Sequence, residues 1–229
     1  MEIFEELHSV PQQGMSTGDL FRLMQMISGD HCRSIGYGEP VMKEKGLMWV
    51  IIRHGAQVQR WPKPGETLLV KTWPGPTRHG MCPRWVRIES GEGELLVASC
   101  AIWAVVDRSS RKMVVPGAFG IEIEPLNTGL ESPRPGAPAR LPAEDSASYT
   151  VTREVLDENG HMNNTRYYDL AEKVMGTAGL PLRAALVEYV TEAREGERLQ
   201  LSWGHEGGRW AVTGQTGGPA FRMELDYAD

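Results

Sequence analysis

The feature that most constrains the fold of this chain is an internal repeat, because the same predicted order of elements occurs twice along its 229 residues. Between the two copies lies a segment, residues 125–143, that carries five prolines and two glycines and has no periodic apolar pattern. This composition is typical of an extended linker. We therefore predict a first domain over residues 1–124, a linker over residues 125–145 and a second domain over residues 146–229.

Each copy is predicted to consist of one strand, one helix and then four strands. In the first copy the helix begins near Ser16-Thr17-Gly18-Asp19, and the strands cover residues 2–10, 47–59, 67–73, 84–89 and 95–107. In the second copy the helix begins near Asn163, and the strands cover residues 148–155, 184–193, 198–203, 209–215 and 220–227. Turns that contain Gly or Pro separate the strands, which favours antiparallel pairing of neighbours.

Both predicted helices carry apolar residues at positions i, i+3, i+4 and i+7, the spacing of one buried helix face. These residues are Leu20, Leu23, Met24 and Ile27 in the first helix, and Tyr167, Leu170, Ala171 and Val174 in the second. A mostly buried helix followed by an antiparallel meander indicates a sheet wrapped around its own helix, which is the hotdog arrangement of the α+β class. Two copies in one chain predict a double hotdog.

Charge and composition exclude several classes of function. The net charge is −6 and the pI about 5.6, which argues against general nucleic-acid binding. Residues 1–120 hold 14 basic and 12 acidic side chains, whereas residues 121–229 hold 10 and 18. The first half is thus slightly positive and the second strongly negative, so an acidic partner would dock on the first half.

The location is expected to be cytoplasmic and the protein to need no cofactor. The longest run of small or apolar residues, from Leu95 to Val106, is shorter than the roughly 20 residues of a membrane span, and the first residues lack the pattern of a signal or transit peptide. Three cysteines without a CxxC pair indicate free thiols in a reducing compartment, not a disulfide framework or a zinc site. The sequence carries neither paired His ligands nor a Gly-rich phosphate loop.

One short segment of the second copy carries groups suited to acid–base chemistry. Asp157, Asn159 and His161 stand at i, i+2 and i+4 just before the second helix, and in an extended backbone they would face the same way. They supply a carboxylate, an amide and an imidazole, which can act on a carbonyl group. The neighbouring helix N-terminus offers N–H groups for a developing oxyanion, and Gly160 allows close approach to the backbone.

The same segment also fits a purely structural role. Asp-x-Asn-Gly is a common turn sequence, and Asn163 or Asn164 would serve as a helix N-cap. The equivalent turn of the first copy, aligned on its glycine, has no acid and no base. If the polar set is functional, the chain therefore has one active site.

The sequence resembles the acyl-acyl-carrier-protein thioesterase family, whose members are double-hotdog enzymes. The segment from Leu156 to Tyr167 is similar to the family signature L-D-x-N-x-H-x-N-N-x-x-Y. Three further segments of the first half are similar to family segments in the same order. They are residues 49–53 through 61–66, residues 72–75, and residues 101–107 followed by Arg111. The resemblance covers nearly the whole chain and implies hydrolysis of fatty acyl thioesters.

The resemblance implies catalytic roles for Asp157, Asn159, His161 and Glu192. Backbone N–H groups of Gly160 and His161 are expected to polarise the thioester carbonyl while Glu192, with His161, activates a water molecule. Which of Asp157, His161 and Glu192 is the base stays open, and so does direct attack by Asp157. Many plant members have a Cys directly after the glutamate; here Ala193 takes that position, which excludes a thiolate nucleophile there.

The resemblance also implies where substrate and partner bind. The acyl chain is expected in the first hotdog, against an apolar set of residues: Leu20, Leu23, Met24, Ile27 and Met48. Because acyl carrier protein is acidic, we expect a basic docking face. The candidates for that face are Arg78, Arg84, Arg87, Arg108, Arg111 and Lys112.

Alternative functions share parts of this pattern. An acyl-CoA thioesterase would use the same motif and differ only in its docking surface. A hotdog dehydratase would not be expected to carry Glu192, and a non-catalytic acyl-binding module would not be expected to keep an intact acid–base set. A homodimer formed through exposed sheet edges also stays open.

Overall fold

The computed structural model describes residues 2–157 and 159–228. Its residues form two compact units, each built on an antiparallel sheet. The first unit comprises the residues up to Gly14 together with Leu23–Pro135, and the second comprises Met15–Arg22 together with the residues from Gly136 onward. The boundary between Pro135 and Gly136 lies inside the Pro-rich segment, whereas the assignment of residues 15–22 to the second unit differs from a simple division at the linker.

The first unit contains the longer strands. Its elements are β1 (Phe4–Ser9), most of α1 (Thr17–Ser34), α2 (Glu39–Glu44), β2 (Leu47–Val58), β3 (Thr67–Pro74), β4 (Met81–Ser90), β5 (Leu95–Asp107), β6 (Met113–Val114) and a 3₁₀ turn over Pro116–Phe119. The strand order is β1-β3-β4-β5-β2, and the short β6 pairs with the end of β5. Each of these pairs is antiparallel.

The second unit follows the same plan. Its elements are β7 (Asp145–Thr150), a 3₁₀ turn over Arg153–Val155, α3 (Arg166–Met175), β8 (Leu182–Tyr189), β9 (Arg198–Glu206), β10 (Arg209–Gln215) and β11 (Pro219–Tyr227). The strand order is β8-β11-β10-β9-β7, again with antiparallel neighbours.

The predicted order of strand, helix and four strands is therefore confirmed in both copies, with local corrections. The sequence reading missed α2 and β6. It extended the first strand of the second copy to Val155, whereas β7 ends at Thr150 because a 3₁₀ turn follows. It began the second helix near Asn163, whereas α3 begins at Arg166.

Helix α1 begins at the predicted position because its first turn is doubly capped. The Asp19 N–H donates to Ser16 Oγ at 3.1 Å, and the Ser16 N–H donates to Asp19 Oδ2 at 3.2 Å, which forms a capping box. The Gly18 N–H also donates to Asp169 Oδ1 of α3 at 3.0 Å. Two acidic groups thus satisfy N–H donors at the positive end of the helix.

Burial follows the periodicity predicted for α1, and one strand shows a regular pattern of its own. The apolar face of α1 and alternate residues of β11, namely Phe221, Met223, Leu225 and Tyr227, are buried. Burial at every second residue of a strand indicates that one face of the sheet packs on a core. In the second unit that core also contains the α3 residues Tyr167, Tyr168, Leu170 and Ala171.

The Pro-rich segment has no helix or strand before β7, yet its residues contact both sheets. In the first unit, the indole N–H groups of Trp73 and Trp85 donate to Glu131 Oε1 at 3.2 Å and to the Ser132 carbonyl at 2.8 Å. In the second unit, the Glu144 N–H donates to the Trp203 carbonyl at 2.8 Å. The segment is therefore a packed strap, not a free linker. None of the described helices has the length and apolarity needed to cross a membrane.

Candidate active site

The segment with the predicted acid–base groups forms a closed turn between the 3₁₀ turn and α3. The Asp157 N–H donates to the His161 carbonyl at 2.8 Å, and the Gly160 N–H donates to the Asp157 carbonyl at 3.1 Å. Gly160 has a φ of 76°, in the left-handed region that favours glycine. The expectation of an extended backbone with three side chains on one side is therefore wrong, because the chain reverses direction within five residues. Glu158 lies outside the described residues.

The carboxylate of Asp157 holds this turn from inside. Its Oδ1 atom accepts the N–H of Asn159 at 2.8 Å and the N–H of His161 at 3.3 Å. A carboxylate that accepts two backbone N–H groups fixes the local conformation more firmly than a neutral acceptor. Asp157 therefore sets the position of His161 through the backbone.

The backbone N–H groups of Gly160 and His161, which were predicted to form an oxyanion hole, both have acceptors within the turn. The Gly160 N–H bonds to the Asp157 carbonyl and the His161 N–H bonds to the Asp157 carboxylate. Sequence reading placed a helix N-terminus directly beside these groups, whereas α3 begins five residues after His161.

The central pair of the site is His161 with Glu192. His161 Nε2 lies 3.0 Å from Glu192 Oε2. The imidazole is nearly buried and the carboxylate is half-buried. A histidine whose ring nitrogen contacts a carboxylate in a mostly buried position is the usual arrangement of a general base with its orienting group.

Glu192 is not on a strand, contrary to the sequence expectation. Strand β8 ends at Tyr189, and the Val190 and Thr191 N–H groups both donate to the Ala220 carbonyl, at 2.8 and 3.1 Å. When two consecutive N–H groups donate to the same carbonyl, the regular pairing of the two strands is interrupted. The chain therefore leaves the sheet just before Glu192 and turns it toward His161.

Ala193 ties the Glu192 segment to the turn. Its carbonyl accepts the Met162 N–H at 2.8 Å, and its side chain is fully buried. Burial raises the pKa of Tyr167, and the nearby charges of Glu192, Glu197 and Asp157 raise it further.

Tyr167 lies on the buried face of α3, as the sequence predicted, and its ring packs against Tyr189 and Phe221. Asn163 and Asn164 were considered as the helix N-cap, but Thr165 takes that position. The Asn163 Oδ1 atom accepts the N–H and the hydroxyl of Thr165, both at 2.9 Å. Asn159 has an exposed side chain next to the site.

The residues predicted to contact the acyl chain are all buried. Leu20, Leu23, Met24, Ile27 and Met48 are each at most 9% exposed. The Met48 sulfur is covered on one side by Arg111, whose Nη1 atom lies 3.6 Å from Sδ. Their role in binding an acyl chain stays a prediction.

The predicted docking residues separate into exposed and buried groups. Arg78, Arg111 and Lys112 are exposed, and Arg108 is half-buried. Arg87 is mostly buried, and its Nε atom pairs with Glu89 at 3.2 Å.

Arg84 is buried, which excludes it from a docking surface. Its Nη1 atom lies 2.7 Å from His31 Nδ1, and its Nη2 atom lies 3.4 Å from the Cys32 sulfur. A basic residue in a strand is usually solvated, but here the guanidinium lies at the last turn of α1, where the helix dipole is negative. Its role is therefore structural.

The described residues, 2–157 and 159–228, contain no group of three or more His, Cys, Asp or Glu side chains that could hold a metal ion.

Comparison with known proteins gives consistent matches over both units. Residues 11–116 match the acyl-ACP thioesterase N-terminal domain and residues 139–222 match the acyl-ACP thioesterase C-terminal domain, where ACP is acyl carrier protein. A palmitoyl-acyl carrier protein thioesterase of Gossypium hirsutum is 28% identical over 215 residues, which are 87% of this chain and 49% of that protein. An acyl-[acyl-carrier-protein] hydrolase of Cuphea viscosissima is 28% identical over 162 residues, 65% of this chain and 39% of that protein. The chain thus spans half or less of the length of these relatives.

Solved structures show the same fold. An acyl-ACP thioesterase from Bacteroides thetaiotaomicron superposes with a TM-score of 0.82 over 99% of this chain and 98% of that one, at 18% identity. The 12:0-ACP thioesterase from Umbellularia californica gives 0.82 over 99% and 94%, at 19% identity. The predicted double hotdog is confirmed by these neighbours.

Proposed function

Because the chain belongs to the acyl-ACP thioesterase family, we propose that it hydrolyses fatty acyl thioesters of acyl carrier protein to a free fatty acid and the carrier thiol. The observation that carries this proposal is the 3.0 Å contact between His161 Nε2 and Glu192 Oε2, next to a turn held rigidly by Asp157. The three free thiols of the chain fit a reducing compartment such as the cytoplasm.

The reaction needs one activated water molecule. The pair formed by His161 and Glu192 removes a proton from water as its oxygen attacks the thioester carbonyl carbon. The tetrahedral intermediate then collapses, the carbon–sulfur bond breaks, and the proton passes to the leaving thiolate. General-base catalysis of this kind contributes about 10²–10⁴-fold in rate.

Asp157 acts by positioning His161, and it is not the base in this proposal. Its Oδ1 atom accepts the two backbone N–H groups that define the turn. Loss of that acceptor would release the backbone that holds His161, and a displacement of about 1 Å at a reacting group costs up to about 100-fold in rate. Asn159 lies at the exposed side of the turn, where it would meet the incoming thioester.

We place the acyl chain against the buried apolar face of α1, where Leu23, Met24 and Ile27 pack. Long apolar chains are stabilised by about 0.8 kcal/mol per buried methylene group. Unbranched Met side chains adapt to ligands of different shape, which suits Met24 and Met48 to such a position.

We place the carrier protein on a surface of the first unit, here called the basic patch, formed by Arg78, Arg111 and Lys112 with the exposed Met81 and Met113. The Arg78 and Met81 backbones bond to each other in both directions at 3.0 Å, and Gly80 of this turn lies next to the Met113 side chain. Exposed apolar side chains among basic groups fit an acidic partner with an apolar rim.

The experiment that tests the function measures thiol release from saturated acyl chains of several lengths, each presented on acyl carrier protein and on CoA. The wild type is compared with His161→Ala and Glu192→Gln, with folding checked by circular dichroism. Rapid release from the carrier substrates, lost in both variants, would support the proposal. Preference for CoA would reassign the partner, and no release from either substrate would refute the hydrolase assignment.

The basic patch has its own test. Arg111→Glu combined with Lys112→Glu should raise KM for the carrier substrate at least about tenfold at low salt, because like charges then face the acidic partner. KM for the CoA substrate should stay within about twofold. As a matched control, the exposed Arg183→Glu of the second unit should leave both KM values unchanged. An equal effect on both substrates would contradict docking at this surface.

A further inference from the structure

We infer that Tyr189 is a positioning residue, which holds the segment that carries Glu192 against the segment that follows His161. This inference rests on the proposed function and names a further residue of its site. The observation that carries it is a hydrogen bond of 2.9 Å from the Tyr189 hydroxyl to the Asn164 carbonyl. Tyr189 lies three residues before Glu192. Asn164 lies three residues after His161, so this bond joins the two segments whose side chains form the central pair.

A second hydrogen bond joins the same two segments on the other side of Glu192. The Met162 N–H donates to the Ala193 carbonyl at 2.8 Å. A single hydrogen bond leaves two segments free to pivot about it, whereas two bonds that flank a residue fix the direction of its side chain. Glu192 lies between Tyr189 and Ala193 along the chain, so the two bonds together determine where its carboxylate lies.

The backbone pairing of the sheet does not supply this constraint. Strand β8 ends at Tyr189, which pairs with Phe221 of β11. The next two N–H groups share the Ala220 carbonyl, and the regular pairing is interrupted there. Tyr189 is therefore the last residue of β8 that the regular sheet fixes, and its side chain extends this constraint toward Glu192.

Both partners of the bond suit this role. The Tyr189 ring lies 5.9 Å from the Tyr167 ring edge to face, a contact that favours one ring orientation. Burial raises the pKa of Tyr189, so its hydroxyl keeps its proton and stays a donor at neutral pH. Asn164 precedes Thr165, the N-cap of α3, so its carbonyl lies outside the hydrogen-bond ladder of the helix.

Tyr189→Phe tests the bond because it keeps the ring and removes only the hydroxyl that donates to Asn164. The two segments can then pivot about the remaining Met162 bond, which disturbs the 3.0 Å contact between His161 and Glu192. We expect kcat on the carrier substrate to fall by about 10- to 100-fold with KM within about threefold of the wild type, since a displaced base slows chemistry more than binding. A raised KM with unchanged kcat would overturn the inference.

Tyr227 of the same unit provides a matched control that separates positioning from general destabilisation. Its hydroxyl bonds to Thr177 at 2.9 Å and to Glu172 at 3.1 Å. Both partners lie outside the two segments that the Tyr189 hydroxyl joins. Tyr227→Phe should therefore lower the free energy of unfolding but keep kcat within about twofold of the wild type. An equal loss of kcat in the two variants would contradict a specific role of Tyr189.

A double-mutant cycle tests whether Tyr189 acts through Glu192. In the Glu192→Gln background, Tyr189→Phe should change the residual kcat by less than about threefold, because the group it positions is already gone. Additive losses would refute action through Glu192. Wild-type activity of Glu192→Gln would refute the proposed site itself, whereas wild-type activity of Tyr189→Phe alone would refute only the positioning role.

Amide hydrogen exchange gives a readout that needs no substrate. In Tyr189→Phe the Met162 amide, which bonds to the Ala193 carbonyl, should exchange at least about tenfold faster than in the wild type, because the two segments separate more often. Amides in the middle of β11 should keep their protection. Unchanged exchange at Met162 would show that the Tyr189 hydroxyl does not hold the segments together, whether or not the protein hydrolyses a thioester.

Discussion

Two buried histidines of the first unit predict a steep loss of stability in mild acid. His54 in β2 contacts the Ser99 hydroxyl at 2.8 Å, and burial lowers its pKa to about 3. His31 in α1 accepts a hydrogen bond from Arg84 at 2.7 Å. Burial first, and then the Arg84 charge, lower the pKa of His31 to about 4. Both imidazoles are therefore neutral in the folded protein at neutral pH.

The sign and size of the effect follow from proton binding. The unfolded chain binds a proton at each histidine with a pKa of 6.5, whereas the folded chain does so only near pH 3 or 4. Stability is therefore fully present above pH 6.5 and falls below it, by up to about 1.4 kcal/mol per pH unit for each group. Between pH 7 and pH 5 each histidine lowers the free energy of unfolding by about 2 kcal/mol, and the two together lower it by about 4 kcal/mol. This is a large share of the total free energy of unfolding of a typical protein, about 5–15 kcal/mol.

Urea unfolding at pH 7 and at pH 5, at constant ionic strength, measures this loss. His54→Gln retains a hydrogen-bonding side chain beside Ser99 but does not titrate, so its loss between the two pH values should be about 2 kcal/mol smaller than that of the wild type. Any constant destabilisation by the substitution cancels in this difference. Equal pH dependence in the wild type and the variant would refute the reasoning.

Other predictions concern the turn that contains Asp157 and the start of α1. Asp157→Asn keeps an oxygen that accepts the two backbone N–H groups, so kcat on the carrier substrate should fall less than about tenfold. Asp157→Ala removes that acceptor and should lower kcat at least about 100-fold. Complete inactivity of the Asn variant would instead make Asp157 the base or nucleophile. Gly18→Ala places a Cβ against the Asp169 carboxylate and should cost about 1–2 kcal/mol in urea unfolding. Gly29→Ala in the same helix meets open space and should stabilise by about 0.5–1 kcal/mol; equal effects at the two glycines would contradict the contact with Asp169.

The sequence predicted those parts of the structure that depend on periodicity and local capping. Turns that contain Gly or Pro located the strands, and Ser16 with Asp19 located the start of α1, because both signals act between residues close in the chain. The candidate site residues Asp157 and His161 were identified from their spacing and from the family signature, whereas Glu192 was identified only from the family resemblance. Spacing alone did not show that His161 and Glu192 meet.

The errors share one physical cause. Hydrogen-bond partners depend on backbone reversals and on contacts between distant residues, which local sequence patterns do not reveal. Gly160 allows a tight reversal, and this reversal consumes the N–H groups that were expected to face the substrate. Strand β8 ends early because two N–H groups share the Ala220 carbonyl, a contact between distant residues. Arg84 looked like a surface residue because its buried partners in α1 lie about 50 positions away in the sequence.

The assignment of residues 15–22 to the second unit has a consequence for dissecting the protein. The Thr17 hydroxyl donates to Glu172 at 2.8 Å, and the Phe21 ring stacks on Tyr168 with centroids 3.9 Å apart. A C-terminal fragment produced by a cut within the Pro-rich strap would lack these eight residues. It would expose Tyr168 and the carboxyl group of Glu172, whose pKa is raised by burial. Chimeras between relatives should therefore take residues 15–22 from the same parent as the C-terminal half. A simple exchange at the linker would separate these residues from the side chains on which they pack.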